Sequence, residues 1–181
     1  TTQPMKVNKD ETVADQMQYI RDLGMIFHRE EQAKKIVDAT NQRISDIEKA
    51  RTGKSRPKVM ILDLLSSTVS YGANKIAGDM VNSIGGDVPR TTAPVSDEYI
   101  MRENPDIIFV VTYDSDRVLL DNLLTKPQFK ELNFVKNKSV YPIPLKYVYG
   151  PLSRTIDSIG YMANYMYPNE FNFEREYDFH K

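Results

Sequence analysis

The stretch of sequence that decides the fold is Asn104-Pro105-Asp106-Ile107-Ile108-Phe109-Val110-Val111-Thr112. Asn104-Pro105 is predicted to end the preceding helix. The residue before a proline disfavours helical backbone angles, and Asn-Pro favours a turn. It continues as a short apolar run rich in β-branched residues, which is typical of a strand buried on both faces. A strand of this kind needs a covering layer on each side, so the stretch predicts an α/β sheet.

The segments on either side repeat the alternation of strand and helix. Lys58–Leu62 and Ser139–Ile143 are short apolar runs that fit further buried strands. Helical patterns separate or follow the strands, over 74–84, 96–103, 116–124 and 151–167. The alternation predicts an open, mainly parallel sheet with helices on both faces.

Two amphipathic helices are predicted ahead of this sheet. The first covers 11–27, and the second, over Arg29–Lys49, is about 30 Å long at 1.5 Å per residue. The second ends before the basic, Gly- and Pro-containing segment 51–57, which cannot continue a helix. The chain is therefore divided into residues 1–55 and 56–181, and we expect the long helix to lie outside the core of the second unit.

Composition limits the classes of function. A formal net charge of -1 over 181 residues gives no basic surface for nucleic acid. No run approaches the roughly 20 apolar residues of a membrane span, and Thr1-Thr2-Gln3-Pro4 does not begin a signal peptide, so we expect any signal or anchor outside this sequence. The chain has no cysteine, which excludes disulfides and thiolate metal sites but does not indicate a compartment.

Tyrosine is unusually frequent, with eleven residues against no tryptophan. Several tyrosines lie in loops that follow predicted strands, where open α/β sheets bind their ligands. Tyrosine offers a ligand both an apolar ring and a hydroxyl, although half-buried strands also favour it for packing. The loops predicted to form a ligand site are Leu65–Gly72, Tyr113–Ser115 and Lys146–Gly150.

Four segments, in order, resemble the C-terminal lobe of the class III substrate-binding proteins, which serve ABC importers of iron-siderophores, haem and vitamin B12. The segments are Leu23–Ala33 with Glu30-Glu31-Gln32-Ala33, Tyr71–Met80 followed by Gly85-Gly86, the pair Val95-Ser96-Asp97-Glu98-Tyr99 and Asn104–Ile108, and Val135–Tyr141. Each motif is weak alone, but their shared order and spacing are specific.

The resemblance implies two α/β lobes bridged by one long helix, with the ligand held in the cleft. Residues 1–55 would be the end of the N-terminal lobe and the interlobe helix, and residues 56–181 the C-terminal lobe. We therefore expect a C-terminal fragment of an extracytoplasmic protein, either periplasmic or anchored to the cell membrane as a lipoprotein. Its expected partners are ABC transporter permease subunits and an iron chelate, and its uncovered ligand wall should favour self-association.

The predicted ligand is a ferric siderophore or haem, with no intrinsic cofactor. The predicted ligand-binding residues are Tyr71, Tyr113, Lys146, Tyr147 and Tyr149. Tyr113 lies where haem-binding members of the family place an axial ligand, and a phenolate can ligate ferric haem. Glu98 aligns with the family's glutamate that pairs with permease arginines, although the helix dipole alone explains a carboxylate in a first turn.

Other functions stay open at this point: a cobalamin receptor, a chelatase-like metal-handling enzyme, or a structural or adhesive module. A chelatase needs convergent histidines, whereas His28 falls at a predicted helix end and His180 in the tail, without a second histidine at metal-binding spacing. Asp114, Asp116 and Asp121 fit a helix start and a solvated face. We therefore predict a binding protein with no catalytic residues.

Overall fold

A computed structural model describes residues 11–64, 68–90, 92–113 and 117–178. The strands are β1 (Val59–Asp63), β2 (Val69–Ser70), β3 (Ala93–Pro94), β4 (Ile107–Thr112) and β5 (Val140–Pro144). The helices are α1 (Val13–Ile26), α2 (Glu30–Arg51), α3 (Ile76–Ser83), α4 (Asp97–Glu103), α5 (Arg117–Thr125), α6 (Asn133–Lys136) and α7 (Thr155–Met166). Short 3-10 turns occupy Pro127–Phe129, Leu145–Tyr147 and Leu152–Arg154.

The strands form one sheet in the order β3-β2-β1-β4-β5. Strands β1, β4 and β5 are parallel, and β2 alone runs against its neighbours β1 and β3. The predicted open, mainly parallel sheet is therefore confirmed. The two-residue β2 lies in a segment predicted as loop, because so short a strand leaves no periodic pattern. Strand β5 is an edge strand, which explains why it tolerates Pro142 and Pro144.

Helices cover both faces of the sheet, as predicted. On one face, Ile61, Phe109 and Ile143 belong to a buried cluster with residues of α1, α2, α3 and α7. On the other face, Leu62 and Val110 belong to a second cluster with residues of α4, α5 and α6. The alternation of side chains along β1 and β4 divides them between the two clusters.

The long helix α2 is unbroken, as predicted, but it belongs to the core of the sheet unit. Its Ile47 is fully buried, and Ala33 and Val37 lie in the same cluster as β1 and β4 residues. The expectation that this helix lies outside that core is therefore wrong. Its apolar stripe packs against α1 and α7, and periodicity reveals such a stripe without revealing its partner.

The Asn104-Pro105-Asp106 motif joins three elements. Asn104 adopts a left-handed conformation that closes α4, and its side-chain oxygen accepts a hydrogen bond from Asn133 N at 2.9 Å. Asp106 accepts from Lys58 N at 2.9 Å and from Asn133 Nδ2 at 2.8 Å. The motif therefore fixes the starts of β1 and α6 against β4 and has a structural role.

The C-terminal tail, described over 169–178, packs irregularly over α2 and α7. The Asn164 amide exchanges two hydrogen bonds with the Phe173 backbone, of 2.9 and 2.7 Å. The Arg43 guanidinium lies 4.5 Å from the ring centre of Phe173 and 5.0 Å from that of Tyr177. Within the described ranges, no helix has both the length and the apolar character that a membrane crossing requires.

Candidate functional site

The carboxyl ends of β1, β4 and β5 meet at one edge of the sheet, here called the carboxyl edge. The parallel register places Asp63, the last residue of β1, opposite Val111, and Thr112 opposite Pro144. Loops beyond this edge are where open α/β sheets bind ligands. The predicted residues Tyr71, Tyr113, Lys146 and Tyr149 lie at or just beyond these strand ends.

Two tyrosines and a carboxylate form a cluster at the end of β1, here called the tyrosine–carboxylate cluster. Asp63 Oδ2 accepts hydrogen bonds from the Tyr71 hydroxyl at 3.0 Å and from the Tyr149 hydroxyl at 3.3 Å. The two hydroxyls are also within hydrogen-bond distance of each other, so their two protons are shared among the three oxygens, and the rings meet edge to face with centres 5.8 Å apart. Burial, reinforced by the hydrogen bonds with Tyr149 and Asp63, raises the pKa of Tyr71. The Tyr71 hydroxyl is therefore protonated at neutral pH when no ligand is bound.

Tyr71 is held in place by tight backbone packing at its neighbour Gly72. A Cβ on Gly78 would lie 2.2 Å from the Gly72 carbonyl oxygen, so only glycine permits this approach of α3 to the loop. Gly72 N also donates to Thr92 Oγ1 at 3.0 Å, and Thr92 N donates to Asn74 Oδ1 at 2.7 Å. The Tyr71–Met80 segment thus positions one wall of the site.

A cavity of about 500 Å³ opens at the ends of β4 and β5, here called the edge cavity. Tyr113, which is 71% exposed, Lys146 and Tyr161 contribute to its walls. The tail supplies Arg175 and Glu176. A volume of this size is in the range of small-molecule sites.

The edge cavity carries an excess of positive charge. Glu176 is engaged by Arg154, with an Nη1–Oε1 distance of 3.4 Å. Among the residues that the structure describes, no carboxylate forms an ion pair with Lys146 or Arg175. Lys146 Nζ instead lies 5.2 Å from the ring centre of Tyr147. This combination of aromatic walls and two cations suits an anionic ligand with a large apolar surface.

Tyr147 lines the edge cavity from its buried side. It is only 2% exposed, its hydroxyl donates to Arg175 O at 3.3 Å, and its ring packs 5.4 Å from that of Tyr161. The 3-10 turn Leu145–Tyr147 directs this side chain into the core, and burial raises the pKa of its hydroxyl. Tyr147 therefore supports the floor of the edge cavity and holds the tail, whereas its neighbour Lys146 is exposed.

Glu98 is exposed in the first turn of α4, as predicted. Ser96 caps this helix by accepting a hydrogen bond from Tyr99 N at 3.3 Å. A hydrogen bond from the Ser96 side chain lowers the pKa of Glu98 and so favours its charged form. Asp97 is instead bound by Lys126 at 2.7 Å. Of the two carboxylates, Glu98 is the more available to a partner.

Sequence reasoning missed two residues of the site. Asp63 closes an apolar strand and gives no local sign that two tyrosines meet it, and Arg175 lies in a tail without periodicity.

Asp114, Asp116 and His180, with loop residues 65–67, lie outside the described residues. His28 lies exposed in the turn between α1 and α2. In the described part of the chain, no three or more His, Cys, Asp or Glu side chains are grouped to hold a metal.

Together, the open sheet and the loops at its carboxyl edge have the α/β architecture in which small-molecule sites commonly occur. The chain belongs to the periplasmic binding protein family, whose model matches residues 3–147. The predicted family resemblance is thereby confirmed. No curated protein matches the chain.

Solved structures share the fold. A periplasmic binding protein from Veillonella parvula is 30% identical with a TM-score of 0.80, and the match covers 87% of this chain and 52% of that protein. The chain thus spans about half the length of this relative. S. aureus IsdE complexed with heme is 24% identical, with a TM-score of 0.70 and coverages of 88% and 66%. An ABC-type Fe3+-hydroxamate transport system protein from Saccharomonospora viridis is 20% identical, with a TM-score of 0.74 and coverages of 87% and 57%. At these identities, the last two matches support the fold alone.

Proposed function

We propose that the chain is the ligand-binding lobe of an extracytoplasmic receptor that delivers an iron chelate, a ferric siderophore or haem, to an ABC importer. The observation that carries the proposal is the edge cavity, an aromatic and cationic cavity at the carboxyl edge of a periplasmic binding protein fold. Such a receptor binds and releases its ligand and performs no covalent chemistry.

The chemistry of the edge cavity favours chelates of this type. Haem and many siderophores combine a large unsaturated surface with carboxylate or other anionic groups. Tyr113 and Tyr161 provide ring surface, and Lys146 and Arg175 provide charge for the anionic groups. Similar folds occur in a protein complexed with heme and in a hydroxamate transport system, which is consistent with either ligand.

The proposal assigns Glu98 to docking on the permease. An exposed, ionised carboxylate that forms no ion pair with a lysine or arginine of the described residues can steer a cationic partner and fix its register. The receptor would act outside the cytoplasm, either free or anchored to the membrane as a lipoprotein.

Titration with haemin and with a ferric hydroxamate tests the proposed ligand class. Haem binding shifts the Soret band, and a ferric siderophore quenches tyrosine emission. We expect the double variant Lys146→Gln, Arg175→Gln to bind at least about tenfold more weakly, because each charge-assisted hydrogen bond contributes about 1.5–3 kcal/mol. Lys130→Gln, at an exposed lysine outside the cavity, is the matched control. Failure of the full-length protein to bind either ligand would refute the proposal.

Tyr113→Phe tests whether this tyrosine ligates haem iron. The substitution removes only the hydroxyl oxygen and keeps the ring at the rim of the cavity. If Tyr113 is the axial ligand, the phenolate-to-iron charge-transfer band of the ferric complex disappears. A ferric haem spectrum unchanged by the substitution would leave Tyr113 with ring contacts only.

A further inference from the structure

The tyrosine–carboxylate cluster is a set of three hard oxygen donors on the same edge as the edge cavity. We infer that Asp63, Tyr71 and Tyr149 coordinate a ferric ion directly, as the protein's share of the coordination of an open iron chelate. The inference rests on the proposed function and deepens it, because it defines the chelate as one that leaves neighbouring coordination positions free.

The distances within the cluster suit a small cation. Ligand oxygens about 2.0–2.1 Å from a small octahedral ion lie about 2.9 Å apart along an edge of the octahedron. The Tyr71 and Tyr149 hydroxyls lie 3.0 and 3.3 Å from Asp63 Oδ2. Shifts of a few tenths of an ångström therefore bring Asp63 to coordination spacing from each hydroxyl, whereas the two hydroxyls, which contact each other, must separate further. Tyr149 is 52% exposed, so a chelate can reach the cluster from solvent.

The donor types select a hard, strongly acidic ion. Carboxylate and phenolate oxygens suit hard cations, and the cluster contains neither sulfur nor imidazole. As each oxygen–iron bond forms, a phenol releases its proton to solvent, while the iron stays ferric and no electron is transferred. Two phenolates and one carboxylate then supply three negative charges against the three positive charges of the ion.

The arrangement of the three donor oxygens favours an open iron chelate over haem. A porphyrin occupies the equatorial positions of its iron and leaves a single axial position on each face. Asp63 Oδ2 lies at a separation from each hydroxyl that suits adjacent positions on one ion, and the two hydroxyls, which hydrogen-bond to each other, move apart when an ion binds between them. The cluster therefore fits a chelate of carboxylate, hydroxamate or catecholate oxygens that covers only part of the iron.

Ferric iminodiacetate is the probe, because this tridentate chelate leaves three coordination positions of an octahedral ion open to the three cluster oxygens. We expect the full-length protein to develop a visible phenolate-to-iron charge-transfer band that saturates at one iron per chain. Tyr71→Phe and Tyr149→Phe should each weaken the band, and the double variant should abolish it. Asp63→Asn should lower the affinity by more than about tenfold, as loss of a metal-site group commonly does. Tyr19→Phe, at a 41% exposed tyrosine of α1, should leave band and affinity unchanged.

The outcomes separate this inference from the proposed function. If a ferric chelate binds and quenches tyrosine emission without a visible band, or if the band survives in the double variant, direct coordination by the cluster is refuted and the receptor function stands. If neither haemin nor any ferric chelate binds, the receptor function itself fails. Far-UV circular dichroism of the double variant checks that the fold is retained, so that a lost band reports lost ligands.

Discussion

Truncation of Ile47 tests whether the long helix belongs to the core of the sheet unit. Ile47 lies on α2 and is fully buried in the cluster that also contains β1 and β4 residues. Ile47→Ala removes three carbons, worth about 2.4 kcal/mol at about 0.8 kcal/mol each. The cavity left behind adds to this loss, within the usual range of about 2–5 kcal/mol. We therefore expect the free energy of unfolding to fall by about 3 kcal/mol.

Urea unfolding, followed by circular dichroism, measures this loss. With a urea dependence of about 1–3 kcal/mol per molar, the midpoint should fall by about 1 M or more in a single transition. Ile26→Ala is the matched control, because Ile26 also lies on a helix of this region but is 67% exposed. Its effect should stay within about 0.5 kcal/mol. An Ile47→Ala loss below about 1 kcal/mol, or an earlier separate transition of helical signal, would contradict the shared core.

Three further predictions concern docking, pH and the tail. Glu98→Ala should leave ligand affinity unchanged but lower uptake by cells, whereas Glu131→Ala should change neither; normal uptake by the Glu98 variant would reject the docking role. Burial raises the pKa of Asp79 and outweighs the opposing effect of the hydrogen bond from Val13 N. The folded state therefore binds the proton of this carboxyl more tightly than the unfolded state does. The free energy of unfolding then falls as pH rises from about 4 through the folded-state pKa. Asp79→Asn should flatten that fall in urea unfolding at a series of pH values, and an unchanged slope would contradict this cause. Arg43→Lys keeps the charge but loses the stacking of the guanidinium on two tail rings, so it should cost about 1–2 kcal/mol in urea unfolding, and equal stability would exclude a stacking contribution.

Much of the fold was predictable because its signals are local. The apolar run Ile107–Thr112 and the helical pattern over 96–103 each act within a few residues, and each forms the predicted element. The alternation of such elements was sufficient to predict a mainly parallel sheet. The short β2 was not predictable, since its pairing with β1 depends on a partner strand and on no pattern of its own.

The candidate site was predictable only in part. The loops beyond parallel strands pointed to Tyr71, Tyr113, Lys146 and Tyr149, and these residues lie at the carboxyl edge. Tyr147 lines the edge cavity with Tyr113 and Lys146, but its near-complete burial was not predictable, because the direction of a side chain in a 3-10 turn depends on what that turn packs against. The burial of α2 in the sheet unit was hidden for a related reason, since an amphipathic stripe does not identify the surface that covers it.

The sequence by itself determined the three parallel strands, the longer helices and the family to which the chain belongs. Only the tertiary structure decided which distant residues meet: Asp63 and Tyr149 are 86 positions apart, and Arg175 reaches the edge cavity from the tail. Helix and strand patterns act over a few residues, where propensity and capping dominate. Contacts across the chain instead follow from strand register, crossover connections and the packing of helices on the sheet, which are properties of the folded chain as a whole.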